Sequence, residues 1–378
     1  MPVRVLFLHS GGDWIRGSEC MLIALLRNLD RSEIRPFLCT SNKLLACESR
    51  SLGIETEFLS LPEIMIESAE TQLHVIRWAK ACRQLISFVK QQRIQLLYCN
   101  GGSTCQQGYF VGKVTRRPVV SHIHSPYNRR YILLYRLHRA NRVIAVSQAV
   151  QRHLTGKQRF HREIQVVYNG VDTDRFQPVG RRDLQWRTKL GLAPDTLVFG
   201  QVSSLIRRKG IDVLLRSFQV FTASHSTSRL VIVGDGPESG EYKGLAQHLG
   251  IQDRVHFVGN QPDTLPYYQH VFDVNVLASR SDAFPVSLLE AAGCGLPSLA
   301  ADVDGIGEAV ADTRTGLLFR AEDHEMLAGR MHALAFNPEL RARLGTAARQ
   351  LTLERFSLDQ YGRAIHKIIL GEVAQPLG

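Results

Sequence analysis

Short apolar runs recur along the chain, separated by longer stretches of helical period. The runs lie at 3–9, 35–40, 96–99, 119–122, 142–146 and 164–168, then at 197–202, 229–233, 255–258, 274–278, 297–300 and 316–319. They lack the in/out alternation of a half-buried strand, which predicts strands buried on both faces. Segments 18–29, 71–91, 210–221, 286–293 and 322–336 carry the helical pattern. Buried strands that take turns with helices predict parallel sheets covered on both sides.

The series appears twice. Between its halves, residues 172–183 read DTDRFQPVGRRD, a polar, turn-rich stretch containing Pro178 and the best linker candidate. The expected fold class is therefore α/β, with two Rossmann-like, doubly wound domains at 1–172 and 173–357. A last helix in 358–378 has no strand after it and can pack on either domain, including back on the first. Ligands of such sheets bind outside the carboxyl ends of the strands, so two domains facing each other predict a site in the cleft between them.

Composition fits that reading. With 378 residues, 44% of them hydrophobic, the chain can bury two cores better than one. Charged residues are 21% and scattered, which argues against disorder. No apolar run approaches the roughly 20 residues needed to span a bilayer. The opening apolar stretch ends at His9 and reads as a first strand rather than a signal peptide. Cys20, Cys39, Cys47, Cys82, Cys99, Cys105 and Cys294 are dispersed, odd in number and free of C-x-x-C pairs. Cys82, Cys99 and Cys294 sit in apolar segments as reduced core thiols do, so a cytoplasmic protein without structural zinc is expected.

The net charge of +11 points to nucleic acid, an anionic membrane surface or a polyphosphate substrate. No Lys/Arg block or aromatic-plus-basic RNA motif is present, so nucleic acid is set aside. The densest basic patch is 128–142, where Ile132, Leu133 and Leu137 recur at helical spacing among Arg129, Arg130, Arg136, Arg139 and Arg142. It reads first as a solvated helix face and second as a peripheral contact with an anionic membrane at the inner face.

Several loops carry candidate chemistry. The first strand runs into HSGGDWIRGSE, where Gly11, Gly12 and Gly17 precede a helix that begins near Ser18. Such a turn admits a phosphate or sugar to backbone N–H groups, but it lacks the spacing of dinucleotide folds and of the P-loop. Strand alternation puts His122 and His124 on one side and Ile123 opposite; His124 lies just past the strand end. A histidine so placed either faces a site or is satisfied by backbone. Residues 203–210, SSLIRRKG, set Arg207, Arg208 and Lys209 beside a helix start, a suitable diphosphate site. Turns at Gly234 and Gly259 are weak singly and more telling together. The sharpest segment is 278–297, in which seven residues separate loop residue Asp282 from helix residue Glu290. A helix opening near Phe284 offers free N–H groups suited to phosphate, and Glu290, about two turns on, can reach ribose hydroxyls.

This segment resembles the E-x7-E signature of the retaining glycosyltransferases of family 4, which have the GT-B fold. Gly17-Ser18-Glu19 is similar to that family's G-G-x-E turn, and Ile144-Ala145-Val146-Ser147 to its strand ending in serine. Asn169-Gly170-Val171-Asp172, followed by Phe176, resembles its interdomain N-G-V-D-x-x-x-F. Lys209-Gly210, Gly234-Asp235-Gly236-Pro237 and Gly305-Ile306-Gly307-Glu308 follow in order, so the resemblance takes in nearly the whole chain. It implies a transferase moving a sugar from a nucleotide-diphosphate donor to a sugar, lipid-linked or small-molecule acceptor, by front-face substitution and with no metal or other cofactor. It assigns His124 to the transferred sugar, Lys209 to the diphosphate, Glu290 to the ribose and Asp282 to the donor sugar. The backbone of Phe284, Pro285 and Val286 would hold phosphate or sugar, with Gly234 and Gly259 on the donor side.

Three positions depart from the family pattern. Asp282 is one methylene shorter than the usual Glu, Ser203-Ser204 stand where an arginine is usual, and Gly307 replaces a proline. Arg207 or Arg208 can supply the missing charge, and Arg207, nearer the strand end, is the preferred substitute. A catalytically silent sugar-nucleotide-binding protein and a nucleotide-sugar epimerase of the same fold are the alternative readings.

Overall fold

The apolar runs form two all-parallel sheets in the computed structural model, which describes residues 1–64, 71–156 and 164–374. The first contains β1 Val3–His9, β2 Ile34–Thr40, β3 Glu55–Phe58, β4 Leu96–Asn100, β5 Val119–Ile123, β6 Arg142–Ala145 and β7 Ile164–Val166, in the order β3-β2-β1-β4-β5-β6-β7. Phe7 pairs with Leu38 of β2 on one side and Tyr98 of β4 on the other. Val5, Leu6, Phe7 and Leu8 are all fully buried, which explains why this strand shows no alternation. The strand order reverses between β1 and β4, the switch point at which loops diverge and leave room for a ligand.

The second sheet contains β8 Val198–Val202, β9 Arg229–Val233, β10 Val255–Gly259, β11 Val274–Leu277, β12 Ser298–Ala301 and β13 Gly316–Phe319, in the order β10-β9-β8-β11-β12-β13. Its switch point lies between β8 and β11. Phe199, Phe218 and Phe221 anchor its core, with the Phe199 and Phe221 rings edge-to-face at 5.1 Å. Such a pair contributes about 0.5–1.5 kcal/mol beyond the area it buries.

The chain divides into two compact units, Met1–Asn169 with Leu358–Gly378, and Gly170–Ser357. Residues 172–183, expected to be the linker, belong to the second unit and are packed there. Arg349 donates to the carbonyls of Phe176 (2.7 Å) and Thr173 (2.9 Å), and Arg182 pairs with Asp273 at 2.6 Å. Polar composition marked these residues as loop but could not show that a distant arginine binds two of their carbonyls. The last helix, Leu358–Ala374, joins the first unit, where it packs on helix Gly17–Asn28 and on β4. Ile365 and Ile369 are fully buried there, and buried Glu372 pairs with Arg142 at 2.8 Å.

Two local expectations change. The basic stretch 128–142 is not one helix: Arg129–Leu134 is helical, Arg136 takes a left-handed φ of 59°, and Leu137–Arg139 forms a 3-10 turn. The break turns Leu137 into the interior with Ile132 while Leu133 stays exposed. Strand β3 was not foreseen because Glu55–Phe58 is an edge strand of exposed or half-exposed residues with no apolar run.

Candidate functional site

In the second unit the loops leaving β8 and β11 meet at the switch point. The β8 loop ends in a 3-10 turn, Arg207–Lys209, closed by Gly210 at φ 65°. A Cβ at Gly210 would fall 1.9 Å from the carbonyl oxygen of Ala278, so only glycine lets this turn lie against the end of β11. That approach carries Lys209 onto Asp282. The Lys209 ammonium and the Asp282 carboxylate are ion-paired, with side chains 13% and 12% exposed. Arg208 stands 3.4 Å from the same carboxylate oxygen and donates to the Ser281 carbonyl at 2.7 Å.

Of the two candidate arginines, Arg208 therefore reaches the Asp282 loop, not the preferred Arg207, whose side chain is exposed and whose carbonyl accepts from Arg280 at 2.6 Å and from the Gly210 N–H at 3.2 Å. Arg280 also forks onto both carboxylate oxygens of Asp212, at 2.8 and 2.7 Å, and pairs with Glu322. Those hydrogen bonds hold the Arg280 guanidinium charged well above its ordinary range. Asp304 fixes the tip of the loop, accepting from Ser281 Oγ at 2.5 Å and from the Asp282 N–H at 3.1 Å.

Gly234 has φ 129°, and a Cβ there would lie 2.0 Å from the Ser203 carbonyl oxygen. Its N–H donates to the Gly259 carbonyl at 2.8 Å, so this glycine contributes close backbone approach rather than a spare donor. Gly259 has open space where its side chain would be.

The helix after the loop is Val286–Gly293, entered through Pro285, with Phe284 buried and its ring edge-on to Phe356 at 5.3 Å. Glu290 is the fifth residue of this helix. It is half-buried and accepts a hydrogen bond from the Tyr268 hydroxyl at 3.1 Å. Burial pushes the Glu290 carboxyl up to about 7, against the opposing effects of the Tyr268 hydrogen bond and the Arg175 charge. Tyr268 comes from a π-helical turn, Tyr267–Val271, and no motif in the sequence announced it. The two acids of the E-x7-E-like segment thus have different partners: Asp282 is ion-paired, and Glu290 is hydrogen-bonded to a phenol.

In the first unit, three neighbouring strands end in polar side chains. His9 closes β1, Asn100 closes β4, and His124 follows β5 by one residue. His9 Nε2 and Glu19 Oε1 are 3.0 Å apart, Asn100 Nδ2 and His9 Nδ1 are 3.0 Å apart, and His124 Nε2 and Asn100 Oδ1 are 2.8 Å apart. His9, Glu19 and Asn100 are buried, at 3%, 4% and 4% exposure.

Burial pushes the Glu19 carboxyl up, but the hydrogen bond from His9 and the N–H groups at the helix start outweigh it and hold its pKa below the ordinary value. Burial pushes His124 down to about 4, with Glu19 opposing. Gly17 opens the helix with open space beside it, and Ser18 Oγ donates to Glu19 Oε2 at 3.1 Å. The rings of His122 and His124 lie 4.2 Å apart on one side of the sheet, as alternation required. His122 is fully buried and bonded to Tyr98.

Of this group the sequence singled out His124, Gly17 and Ser18. A polar residue ending an otherwise apolar strand, as His9 and Asn100 do, was the available signal for the others. Among the described residues, no group of three or more His, Cys, Asp and Glu side chains is arranged to hold a metal ion, and no helix is long and apolar enough to cross a membrane.

Two doubly wound parallel sheets, each with a polar cluster at its carboxyl edge, define the GT-B class of architecture. The solved structure of Anabaena HepE in complex with UDP-glucose shares it, with a TM-score of 0.84 and 22% identity over 97% of this chain and 99% of that one. Residues 15–175 match the family described as Glycosyltransferase Family 4, and residues 183–351 match Glycosyl transferases group 1. The chain belongs to this glycosyltransferase family.

Among curated relatives, it is 27% identical over 226 residues to the N-acetyl-alpha-D-glucosaminyl L-malate synthase of Bacillus anthracis, covering 60% of this chain and 58% of that protein. It is 37% identical over 192 residues to the D-inositol 3-phosphate glycosyltransferase of Acidothermus cellulolyticus, covering 48% and 42%. The chain spans about half the length of the curated relatives it matches.

Proposed function

We propose that this chain is a retaining, metal-independent glycosyltransferase that takes its sugar from a nucleotide-diphosphate donor. The observation that carries the reading is the meeting, at the switch point of one sheet, of the β8 loop, which presents Arg208 and Lys209, with the strand–loop–helix from β11 to Gly293, which presents Asp282 and Glu290. A diphosphate is recognised by fixed cations and by N–H groups at a helix start, and a ribose by a carboxylate that accepts from its hydroxyls. Lys209 and Arg208 supply the cations, Val286 and its neighbours the N–H groups, and Glu290 the acceptor. Such a site neutralises the charge that builds on the leaving diphosphate without a metal ion.

His124, in the first unit, takes the role on the transferred sugar that the family resemblance assigns to it. The acceptor is assigned to the first unit, which carries a groove lined by Tyr127, Tyr131, Tyr135 and His153. Aromatic faces with hydroxyl tips suit a sugar ring. The name of one relative, a GDP-mannose-dependent mannosyltransferase of Mycolicibacterium smegmatis, supports a donor of this class.

The test is a thermal-shift screen of nucleotide sugars, followed by hydrolysis and transfer assays with each donor that raises the melting temperature. Stabilisation and turnover by one donor, unchanged by a chelator, are expected. The Lys209–Asp282 pair favours one second reading, a sugar-nucleotide-binding protein without turnover, because each charge already satisfies the other. Binding of a donor with no hydrolysis and no transfer would select it.

A further inference from the structure

The cluster at the edge of the first sheet fixes where protons sit. Asn100 is the key, because its amide has one donor end and one acceptor end. Its Nδ2 lies 3.3 Å from the Ser18 carbonyl oxygen and 3.0 Å from His9 Nδ1. Reversing the amide would set its oxygen against the Ser18 oxygen, so the nitrogen must face this side. The consequences run in both directions.

Toward the helix, His9 Nδ1 accepts from Asn100 and so carries no proton; its proton is on Nε2 and is donated to Glu19 Oε1 at 3.0 Å. Glu19 accepts as well from the Arg16 N–H and the Ser18 hydroxyl, both at 3.1 Å, which keeps it a carboxylate. A side chain at Gly11 would press on this bond, since a Cβ there would lie 3.1 Å from His9 Nε2 and 3.4 Å from Glu19 Oε1. Toward the strand edge, Asn100 Oδ1 can only accept, so the His124 nitrogen 2.8 Å away, Nε2, is the one that carries hydrogen. His124 Nδ1 is then a lone pair, and among the described residues it has no hydrogen-bond partner. The His122 ring, 4.2 Å from the His124 ring, bonds Tyr98 through Nδ1, and its buried Nε2 makes no hydrogen bond to His124 or to any other described residue.

We propose that Glu19, His9 and Asn100 form a positioning chain that locks His124 as its Nε2–H tautomer and presents Nδ1 as a hydrogen-bond acceptor for a hydroxyl of the bound sugar. The chain does not conduct protons, because a carboxamide between two imidazoles cannot pass one on without changing its bonding. It works by polarisation and orientation: a buried carboxylate strengthens each successive acceptor along the line. An isolated neutral imidazole exchanges between tautomers and presents a donor part of the time; this arrangement removes the donor form. The part concerning the sugar rests on the glycosyltransferase reading, whereas the tautomer does not.

The experiment separates the two. Histidine is labelled with nitrogen-15 in the full chain, ring spectra are recorded at neutral pH, and the His124 signals are assigned by their absence in His124→Gln. A protonated Nε2 and a bare Nδ1 are expected, with no averaging. Asn100→Leu should convert His124 to averaged tautomers, while Asn100→Asp keeps an acceptor for the His124 Nε2–H but sets an oxygen against His9 Nδ1, so it should keep the His124 tautomer and change the His9 signals, as Nδ1 loses its donor. A loss of packing alone would not distinguish Asp from Leu in this way.

With a turning-over donor, Asn100→Leu should lower kcat about tenfold, the worth of one well-placed hydrogen bond, with the donor KM unchanged. A proton on Nδ1 of the parent His124, or a His124 spectrum unchanged in Asn100→Leu, overturns the proposal. A locked tautomer in a protein that turns over no donor leaves the positioning chain standing and removes the glycosyltransferase reading.

Discussion

The two units use the same sheet plan but fill its edge with opposite chemistry. At the edge of the first sheet, His9, Asn100 and His124 form a neutral, directional line that ends on one carboxylate. At the edge of the second, Lys209, Arg208 and Arg280 are matched against Asp282, Asp212 and Glu322, and the bonds are ionic. A directional line fixes the position of each proton and is spoiled by any single break. An ionic cluster tolerates rearrangement, since a lysine can exchange a carboxylate for a phosphate without changing its own form. The first arrangement suits recognition of hydroxyl groups, and the second suits neutralisation of a leaving diphosphate.

The largest effect is expected where the ionic cluster is broken. Lys209→Ala removes the best-buried cation and leaves Asp282 with Arg208 alone; kcat for transfer should fall about 100- to 1000-fold, the usual cost of removing a preorganised charge-stabilising group. Parent-like turnover would place the diphosphate elsewhere.

A smaller effect separates binding from turnover. Glu290→Ala should weaken donor-nucleotide binding about 10- to 100-fold by calorimetry, as expected for a lost charge-assisted hydrogen bond. His124→Ala should keep that affinity and lose turnover. Equal behaviour of the two variants would erase the division of labour between the units.

The pH dependence sharpens the same contrast. Glu290 is raised from 4.5 to about 7, and ribose hydroxyls donate best to its ionised form. Nucleotide affinity should therefore rise about tenfold between pH 6 and 8, as the carboxyl ionises, and Glu290→Gln should abolish the rise. For stability the sign is opposite. A carboxyl whose pKa is raised by folding stabilises the fold below 4.5 and loses that contribution as pH climbs through 7, so Glu290→Gln should melt higher than the parent at pH 8. His124, held near 4, should contribute no titration over that range.

The smallest effects test the glycines. Gly210→Ala places a Cβ against the Ala278 carbonyl in a left-handed residue and should lower stability by about 1–3 kcal/mol in chemical denaturation. Gly17→Ala meets no atom within 4 Å and should change stability by less than about 0.5 kcal/mol. Any loss of activity in Gly17→Ala would then report a ligand above that turn.

The amino-acid sequence determined the elements and their plan, because hydrophobic period and turn chemistry act over a few residues. The unalternating runs at β1, β4 and β8, the glycine turns, and the loop and helix around Asp282 and Glu290 were all legible in that way. It misread what depends on exposure or on a single dihedral: the polar edge strand Glu55–Phe58 and the break at Arg136.

Tertiary structure alone decided the partners. Asn100 meets His9 from 91 residues away, and Lys209 meets Asp282 across 73, because sheet order sets β4 beside β1 and β11 beside β8. It decided as well that the last helix joins the first unit, where burial of Ile365 and Ile369 outweighs the cost of ordering it. Strand order follows from burying whole faces and satisfying buried polar groups at once, a condition on the entire domain that no local stretch of sequence expresses.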